Sequence, residues 1–249
     1  MVEAIAQRQL APEQIEAFYH NEFVEDQVRD FRQLLEDSGT QGVIVDIGGG
    51  CGFFAKRLAD AAGRHTRVID MDPKSVETCQ QLGVEARRGD ALAPVIEGDE
   101  DVACFNLILH HLVGRTERET RRLQIAAVAA WRGRARRIFV NEYIYESFLG
   151  NASGRLIFAI TSSSVLSFLG RQVGRVIPAF RANTFGVGVR FRARDEWVRL
   201  FAEAGYRVTS MTEGEPEPIS PPLRTLLIKT IRRDSFVLET TQTTGRSSN

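Results

Sequence analysis

The chain has 249 residues, of which 43% are hydrophobic and 26% are charged, a length and balance that favour one main domain with a full core. Its 32 basic and 32 acidic residues cancel, so no overall field attracts nucleic acid or an anionic membrane. We find no signal-peptide pattern and no apolar run of the ~18–20 residues that a membrane span needs. These features predict a cytoplasmic protein with no membrane or nucleic-acid partner.

The three cysteines, Cys51, Cys79 and Cys104, show no metal-binding spacing. They fit free thiols in a reducing compartment. We therefore expect no metal site.

The N-terminal segment up to about Ser38 is predicted to be helical. Pro12 suits a first helical turn, apolar residues recur near helical spacing, and Gly39 follows as a C-cap. The segment fits either a helix packed against a sheet or a lid over a ligand pocket. As a lid, it would direct Phe18, Tyr19 or Phe23 towards the pocket.

The centre of the chain is a strand followed by a glycine turn. Val43–Ile47 is an almost continuous β-branched run, Gly48 to Gly52 supplies the turn, and Phe53 begins a helix. Strand, glycine turn and helix form a nucleotide pocket at the carboxyl ends of an open α/β sheet. The glycines tolerate positive φ, and without a Cβ they let a ligand approach the backbone.

Two classes of nucleotide fit this turn. Residues 50–55 satisfy the dinucleotide pattern G-x-G-x-x-A, which is a weak signal alone. The stretch Asp46-x-Gly48-x-Gly50-x-Gly52 instead resembles motif I of the class I S-adenosylmethionine-dependent methyltransferases. The resemblance implies that Asp46 lies near the cationic methionine end of the cofactor. A carboxylate suits an ammonium and a sulfonium and repels a pyrophosphate.

A second acid follows the next predicted strand, Arg67 to Asp70. Asp70 can accept hydrogen bonds from both ribose hydroxyls in either class of nucleotide site. The continuation Asp70-Met71-Asp72-Pro73 resembles the methyltransferase pattern, which implies that Met71 touches the adenine. We expect Asp72 to be the N-cap of a helix over residues 74–82.

A third acid follows a short strand over residues 84–88. Gly89-Asp90-Ala91 resembles the adenine-recognition turn of the methyltransferases. The resemblance implies that Asp90 accepts from the exocyclic amine, which an ionised carboxylate can do because it only accepts, and that the N–H of Ala91 reaches the ring. Three acids after three successive strands favour S-adenosylmethionine over a dinucleotide.

The fourth strand, residues 102–106, leads into Leu109-His110-His111-Leu112, which resembles the stretch after the fourth strand of the family. The resemblance implies that Asn106 lies beside the sulfonium. No Asn-Pro-Pro-Tyr stands here, so the chain departs from the adenine-N6 and glutamine-N5 branches. Either histidine can serve as a general base, because imidazole titrates near neutrality, or both can be structural.

The fifth strand, residues 137–143, is predicted to end on the acceptor side of the pocket. Glu142, Tyr143 and Tyr145 are then placed to orient a substrate; alternatively Glu142 pairs with an arginine and the tyrosines pack. The arginine-rich helix over residues 116–131 lacks the interleaved aromatics of a nucleic-acid site, so we interpret it as a solvated face.

An apolar insertion over residues 147–182 predicts two or three short helices that cover the substrate side, with Arg175 and Arg181 able to bind an anionic group. A helix over 194–204, a sixth strand over 206–212 and an antiparallel closing strand over 235–239 complete the sheet. We therefore divide the chain into a helical lid (1–40), the cofactor-binding domain (41–240) and a disordered tail (241–249).

These observations predict a Rossmann-like seven-stranded α/β sandwich. The resemblance implies S-adenosylmethionine as cofactor and methyl transfer to a small organic molecule, such as a natural-product intermediate, with oxygen as the favoured acceptor. An NAD(P)-dependent oxidoreductase, a protein or RNA methyltransferase, a non-enzymatic S-adenosylmethionine binder and a homodimeric assembly stay open. The candidate cofactor residues are Asp46, Gly48, Gly50, Gly52, Asp70, Met71, Asp90, Ala91 and Asn106, and the candidate catalytic residues are His110, His111, Glu142 and Tyr143.

Overall fold

A single mixed sheet organises the molecule. The structure, a computed structural model, describes residues 6–8, 24–35, 39 and 41–241. Its seven strands lie in the order β3-β2-β1-β4-β5-β7-β6, and only β7 runs antiparallel to its neighbours. This confirms the predicted fold class. The strands are β1 Val43–Ile47, β2 Thr66–Asp70, β3 Glu85–Arg88, β4 Glu100–Asn106, β5 Arg137–Ser147, β6 Tyr206–Thr212 and β7 Ile228–Thr240.

Helices cover both faces of this sheet, as expected for parallel strands that are joined by crossovers. The described helices are α1 Glu25–Leu35, α2 Phe53–Ala62, α3 Pro73–Gln81, α4 Glu117–Ala129, α5 Ala152–Ser162, α6 Ser164–Val176, α7 Arg194–Glu203 and α8 Pro221–Arg224. Helices α4 and α7 pack on one face, and α1, α2 and α3 pack on the other.

The strand β1 shows how the sequence places functional groups on this sheet. All five of its residues are buried, as its apolar run predicts. Successive side chains point to opposite faces, so Val45 packs with α4 and α7 while Ile44 packs with α1 and α2. Asp46, two residues after Ile44, therefore lies on the α1–α2 face at the carboxyl end of the strand.

The two central antiparallel strands are longer than predicted. β5 continues past Tyr143 to Ser147, where we expected an open acceptor-side segment, because β7 pairs with it along its length, for example Tyr145 with Ile231. β7 likewise begins at Ile228 rather than Ser235. The other strand bounds agree with the prediction to within about two residues, the usual uncertainty of such assignments.

The described part of the N-terminal segment packs beneath the sheet. Phe31 of α1 meets Phe139 of β5 edge to face at 5.2 Å. The expectation that Phe18, Tyr19 or Phe23 faces the pocket falls outside the described residues.

A buried chain of hydrogen bonds also ties α1 to the sheet. The amide of Asn141 donates to the Ser235 hydroxyl at 2.8 Å, and this hydroxyl donates to Oδ2 of Asp30 at 2.8 Å. All three residues are buried. A carboxylate that α1 supplies therefore ends the chain of donors from β5 and β7, while Oδ1 of Asn141 is buried with no partner among the described residues.

The insertion after β5 consists of the consecutive helices α5 and α6 and a short 3₁₀ turn, Pro178–Phe180. This agrees with the prediction of two or three short helices. No described helix alone is long and apolar enough to cross a membrane; α5 and α6 meet that criterion only jointly, and they are bent by 97°.

Candidate functional site

The glycine turn after β1 adopts the left-handed backbone that the sequence predicts. Gly48, Gly50 and Gly52 have φ values of 66°, 54° and 78°, a region that other residues enter at a cost. A Cβ at Gly48 would lie 2.5 Å from the side chain of Ile108, whereas a Cβ at Gly50 would meet nothing within 4 Å. The turn is therefore closed by Ile108 on one side and open at Gly50.

The Asp46 carboxylate lies directly against this turn. The residue is only 1% exposed, and a Cβ placed on Gly49 would come within 2.4 Å of its Oδ2 atom. Any side chain at Gly49 would displace the carboxylate. The chain thus brings a buried acid to the backbone of the turn, as the motif predicted.

Asp70 braces the same turn from the next strand. Its Oδ2 accepts from the backbone N–H of Gly50 at 3.0 Å, and its Oδ1 accepts from the N–H of Asp72 at 2.8 Å. Burial raises the pKa of this carboxyl above its ordinary value. Because each carboxylate oxygen has two lone pairs, both oxygens retain capacity for a ligand's hydroxyl donors.

The residues that follow Asp70 form the expected cap and leave Met71 accessible. Asp72 accepts from the N–H of Ser75 at 2.9 Å and from its hydroxyl at 2.8 Å, which confirms it as the N-cap of α3. Met71 is 37% exposed beside this cap. It is one of the few large apolar side chains left open near the turn.

The third acid stands at the end of β3. Oδ1 of Asp90 accepts from the N–H of Leu92 at 2.9 Å, and the preceding Gly89 donates to the carbonyl of Asp70 at 2.9 Å. Asp90 and Ala91 are partly exposed. The contact with an adenine ring that the motif implies stays a prediction for this turn.

The carboxyl end of β4 carries a buried acceptor and a strained residue. Oδ1 of Asn106 is buried and has no hydrogen-bond partner among the described residues. The next residue, Leu107, has a φ of 55° although it is not glycine. Such backbone is costly and clusters at functional sites.

These groups fit the cofactor that the motifs imply. The buried Oδ1 of Asn106, which has no hydrogen-bond partner among the described residues, calls for a ligand that donates a hydrogen bond, and the Asp46 carboxylate beside the turn favours positive charge. The open side of Gly50 admits a ligand close to the backbone. A sulfonium compound with an ammonium and a ribose satisfies this set, whereas a pyrophosphate would place negative charge beside two carboxylates.

A buried histidine, His110, follows the end of β4 and pairs with an acid of β5, Glu142. Nδ1 of His110 lies 2.6 Å from Oε2 of Glu142, and Oε1 of Glu142 accepts from the N–H of Leu109 at 2.6 Å. Because an ionised carboxylate only accepts, Nδ1 carries the proton and Nε2 of the neutral ring is the acceptor. Glu142 therefore pairs with a histidine, not with an arginine as the alternative interpretation held.

Aromatic rings surround this pair. The His111 ring lies 4.2 Å from that of His110, and the Tyr143 ring meets His110 edge-on at 5.8 Å. Burial, with a smaller contribution from His110, holds the pKa of His111 well below its ordinary value. The structure thus brings together all four residues that the sequence analysis selected as catalytic candidates.

Phe191 is a member of this cluster that the sequence analysis missed. Its ring lies 5.0 Å from that of His110 and stacks on Tyr145 at 4.1 Å with an interplanar angle of 6°. Burial also raises the pKa of Tyr145. No local motif marks Phe191; its role depends on contacts with residues far away in the chain.

Two buried arginines fix Phe191 from either side. Arg190 reaches Oε2 of Glu117 at 2.8 Å and Oε1 of Glu196 at 3.0 Å. Arg192 reaches Oε1 of Glu117 at 3.1 Å, and burial together with Arg190 lowers its pKa to about 10. Since alternate residues of an extended segment point to opposite sides, anchoring both arginines directs Phe191 towards His110.

A family comparison and structural comparisons agree with this geometry. Residues 45–128 match the model of a family described as a methyltransferase domain. No curated protein matches the sequence. The matched range contains the glycine turn, the three acids and both histidines.

Similar solved structures include the mitomycin 7-O-methyltransferase MmcR, with 16% identity and a TM-score of 0.55 over 88% of this chain and 53% of that one. Another is 1,6-didemethyltoxoflavin-N1-methyltransferase of Burkholderia thailandensis, solved with 1,6-didemethyltoxoflavin and S-adenosylhomocysteine, with 14% identity and a TM-score of 0.57 over 92% and 83% of the two chains. A third is the pyocyanin biosynthetic protein PhzM, with 16% identity and a TM-score of 0.53 over 86% and 54%.

At these identities, the structural likeness establishes the fold. The chain spans about half the length of MmcR, of which 53% is covered, and about half that of PhzM, of which 54% is covered.

Proposed function

We propose that this chain, a class I S-adenosylmethionine-dependent methyltransferase by its family model and its fold, transfers a methyl group to a small organic molecule. The observation that carries the proposal is the position of the His110–Glu142 pair. Ile108, two residues before His110, packs on Gly48 of the glycine turn. A base is thereby held beside the turn where the cofactor motifs converge.

The cofactor side of the proposal uses acceptor groups at three strand ends. When bound, S-adenosylmethionine supplies an electrophilic methyl group on a sulfonium. Asp46 would hold the methionine end, Asp70 the ribose, and Asp90 with Ala91 and Met71 the adenine. Gly48, Gly50 and Gly52 would let the backbone approach the ligand, and Asn106 would lie beside the sulfur. Alignment of nucleophile, carbon and sulfur supplies much of the acceleration in such a displacement.

The catalytic side uses His110 as a general base. Glu142 accepts a hydrogen bond from Nδ1–H of His110, which keeps the proton on Nδ1 and leaves Nε2 able to take a proton from the methyl acceptor. The same carboxylate stabilises the imidazolium that forms. His111, whose low pKa keeps it neutral, and Tyr143 would orient the acceptor rather than carry the proton.

A base of this kind supports oxygen as the acceptor atom, because a hydroxyl must lose its proton to become a strong nucleophile. The rings of His110, Tyr143, Tyr145 and Phe191 offer flat apolar surfaces, which support a planar substrate. Among the similar structures, MmcR is a mitomycin methyltransferase and PhzM a pyocyanin biosynthetic protein. These relationships support a role in natural-product biosynthesis.

Two measurements on the purified chain test the proposal. Calorimetry should detect binding of S-adenosylhomocysteine and no binding of NADH. The chain should then be incubated with S-adenosylmethionine and a panel of hydroxylated, amino and carboxylic aromatic compounds. It should release S-adenosylhomocysteine only with acceptors that carry a phenol or alcohol hydroxyl.

Each contrary result points to a different alternative. Binding of NADH alone would favour the oxidoreductase. Turnover with amines alone would keep the methyltransferase and reject oxygen as the acceptor. Turnover with protein or RNA and with no small molecule would reject the substrate class.

A further inference from the structure

Helix α6 buries small residues and exposes large apolar ones, the reverse of what a helix of a globular core does. Its buried positions carry small residues, Ser167 and Gly174, and a Cβ at Gly170 would come within 2.6 Å of the Phe185 ring. Its large apolar side chains, among them Phe168 at 56% exposure and Leu169 at 53%, face outwards. A surface helix normally buries its apolar stripe.

The outward face of α6 belongs to a larger apolar patch. Ten of the exposed large hydrophobic side chains among the described residues lie between residues 148 and 177. Six of them lie on α6 itself, and a large exposed apolar surface of this kind marks an interaction site. We call this surface the α6 patch; it consists of Phe148, Leu149, Leu156, Val165, Leu166, Phe168, Leu169, Val173, Val176 and Ile177.

Positive charge accompanies the α6 patch. Residues 147–193 contain no acidic residue, and the arginines at 155, 171, 175 and 181 are all exposed. Arg171 donates to the carbonyl of Phe185, Arg175 to the Gln172 amide oxygen and Arg181 to the carbonyl of Gly174. These acceptors are neutral, and none of the four arginines forms an ion pair within the described part of the chain.

This charge distribution argues against a second copy of the chain as the occupant. In a two-fold dimer, the same patch faces itself. Four arginines from each copy would then meet across the interface, and residues 147–193 offer no carboxylate to pair with them. Like charges placed opposite one another at an interface are costly.

An anionic bilayer complements both properties, in contrast to the sequence-based prediction of no membrane partner. Helices that lie in the membrane interface bury an apolar face among the acyl chains, and their arginines meet negative headgroups. We propose that the α6 patch docks the protein peripherally on an anionic lipid surface. The 97° bend between α5 and α6 is compatible with this arrangement, because an interfacial helix lies on the membrane and needs no span. The inference does not depend on the proposed methyl transfer.

The test is co-sedimentation of the full chain with phosphatidylcholine vesicles, with or without phosphatidylglycerol. We expect binding to the anionic vesicles that weakens with added salt. The double variant Phe168→Ser with Leu169→Ser should lower the partition coefficient by on the order of tenfold for each side chain. The double variant Arg171→Gln with Arg175→Gln should lower it on anionic vesicles only.

The matched control is Val198→Ser, which removes an apolar side chain on α7 that is 38% exposed and lies outside the patch. It should bind like the unchanged protein, and circular dichroism should show that each variant is folded. The proposal would be overturned if the protein bound neither the neutral nor the anionic vesicles. It would also be overturned by a dimer, measured by light scattering, that Phe168→Ser with Leu169→Ser dissociates.

Discussion

Nδ1 of His110 lies 2.6 Å from Oε2 of Glu142, a carboxylate that is completely buried at the carboxyl end of β5. The same carboxylate also accepts from the N–H of Leu109 and from that of His110 itself, the latter at 3.3 Å. One acid thus fixes both the ring and the backbone that carries it. A buried charge that is bonded this fully holds a single geometry, so Nε2 of His110 has a defined direction.

The substitution Glu142→Gln tests this arrangement. The Gln amide would donate to Nδ1 and place the proton on Nε2, which removes the acceptor. We expect kcat to fall by roughly 10² to 10⁴-fold, with the affinity for S-adenosylhomocysteine unchanged. Glu146→Gln, the same change on the same strand at a residue that is partly exposed and pairs with Arg232, should leave kcat unaltered. Equal losses in both variants would contradict the assignment.

His111, which packs against the ring of His110, predicts a dependence of stability on pH. Its pKa is lowered in the folded state, whereas in the unfolded chain it titrates near the ordinary value of about 6.5. Below that pH the unfolded state binds a proton that the folded state does not, so the free energy of unfolding falls as the pH drops, by at most about 1.4 kcal/mol per pH unit.

Urea unfolding of the unchanged protein and of His111→Asn, measured from pH 7.5 downwards, checks this expectation. The variant should show a shallower loss of stability below pH 6.5. The same change at His65, which is exposed, serves as control. Identical profiles for the His111 variant and the unchanged protein would refute the expectation.

Gly50 and Gly63 form a matched pair for locating the cofactor. Both have left-handed backbone, with φ values of 54° and 61°, and a Cβ at either would meet nothing within 4 Å. Each Ala substitution should therefore cost about 1–2 kcal/mol of stability. Only Gly50→Ala should also weaken binding of S-adenosylhomocysteine, by about tenfold or more, an effect of at least about 1.4 kcal/mol. Equal affinities in calorimetry would show that the ligand does not approach Gly50.

The arginines beside Phe191 lead to a prediction about stability. Arg190 is completely buried and bonded to Glu117 and Glu196. Arg190→Leu removes one of the two arginines that pair with these acids, and Arg192 stays as the other. The loss should be about 1–3 kcal/mol in urea unfolding. Arg199→Leu, which removes an exposed pair with Asp195, should change the stability by less than about 0.5 kcal/mol.

The sequence predicts best where a structural signal is contained in neighbouring residues. The run Val43–Ile47 alone predicts a buried strand, and Asp72 before Pro73 predicts the start of a helix. The glycine turn is equally local, since the φ values of Gly48, Gly50 and Gly52 follow from the sharp turn between a strand and a helix.

Contacts between segments that are distant along the chain could not be predicted from the sequence. Glu142 and His110 are 32 residues apart, and the sequence left open whether the acid meets an arginine or serves the site. Phe191 gave no signal, because its partner Tyr145 and the acids that hold Arg190 lie on other elements. The extension of β5 to Ser147 depends on β7, which provides its hydrogen bonds from residues about 80–90 positions later.

The hydrogen bonds from Asn141 through Ser235 to Asp30 indicate whether the protein can fold without helix α1. A shortened protein that starts at residue 41 would retain every described strand, yet the Ser235 hydroxyl would lose its acceptor on Asp30, while the Asn141 amide would keep its bond to that hydroxyl. The contact between the rings of Phe31 and Phe139 would also be lost, and the apolar sheet surface that α1 covers would be exposed to water. Helix α1 is thus an integral part of the fold, and its removal should leave a protein that aggregates rather than one that has merely lost a cover.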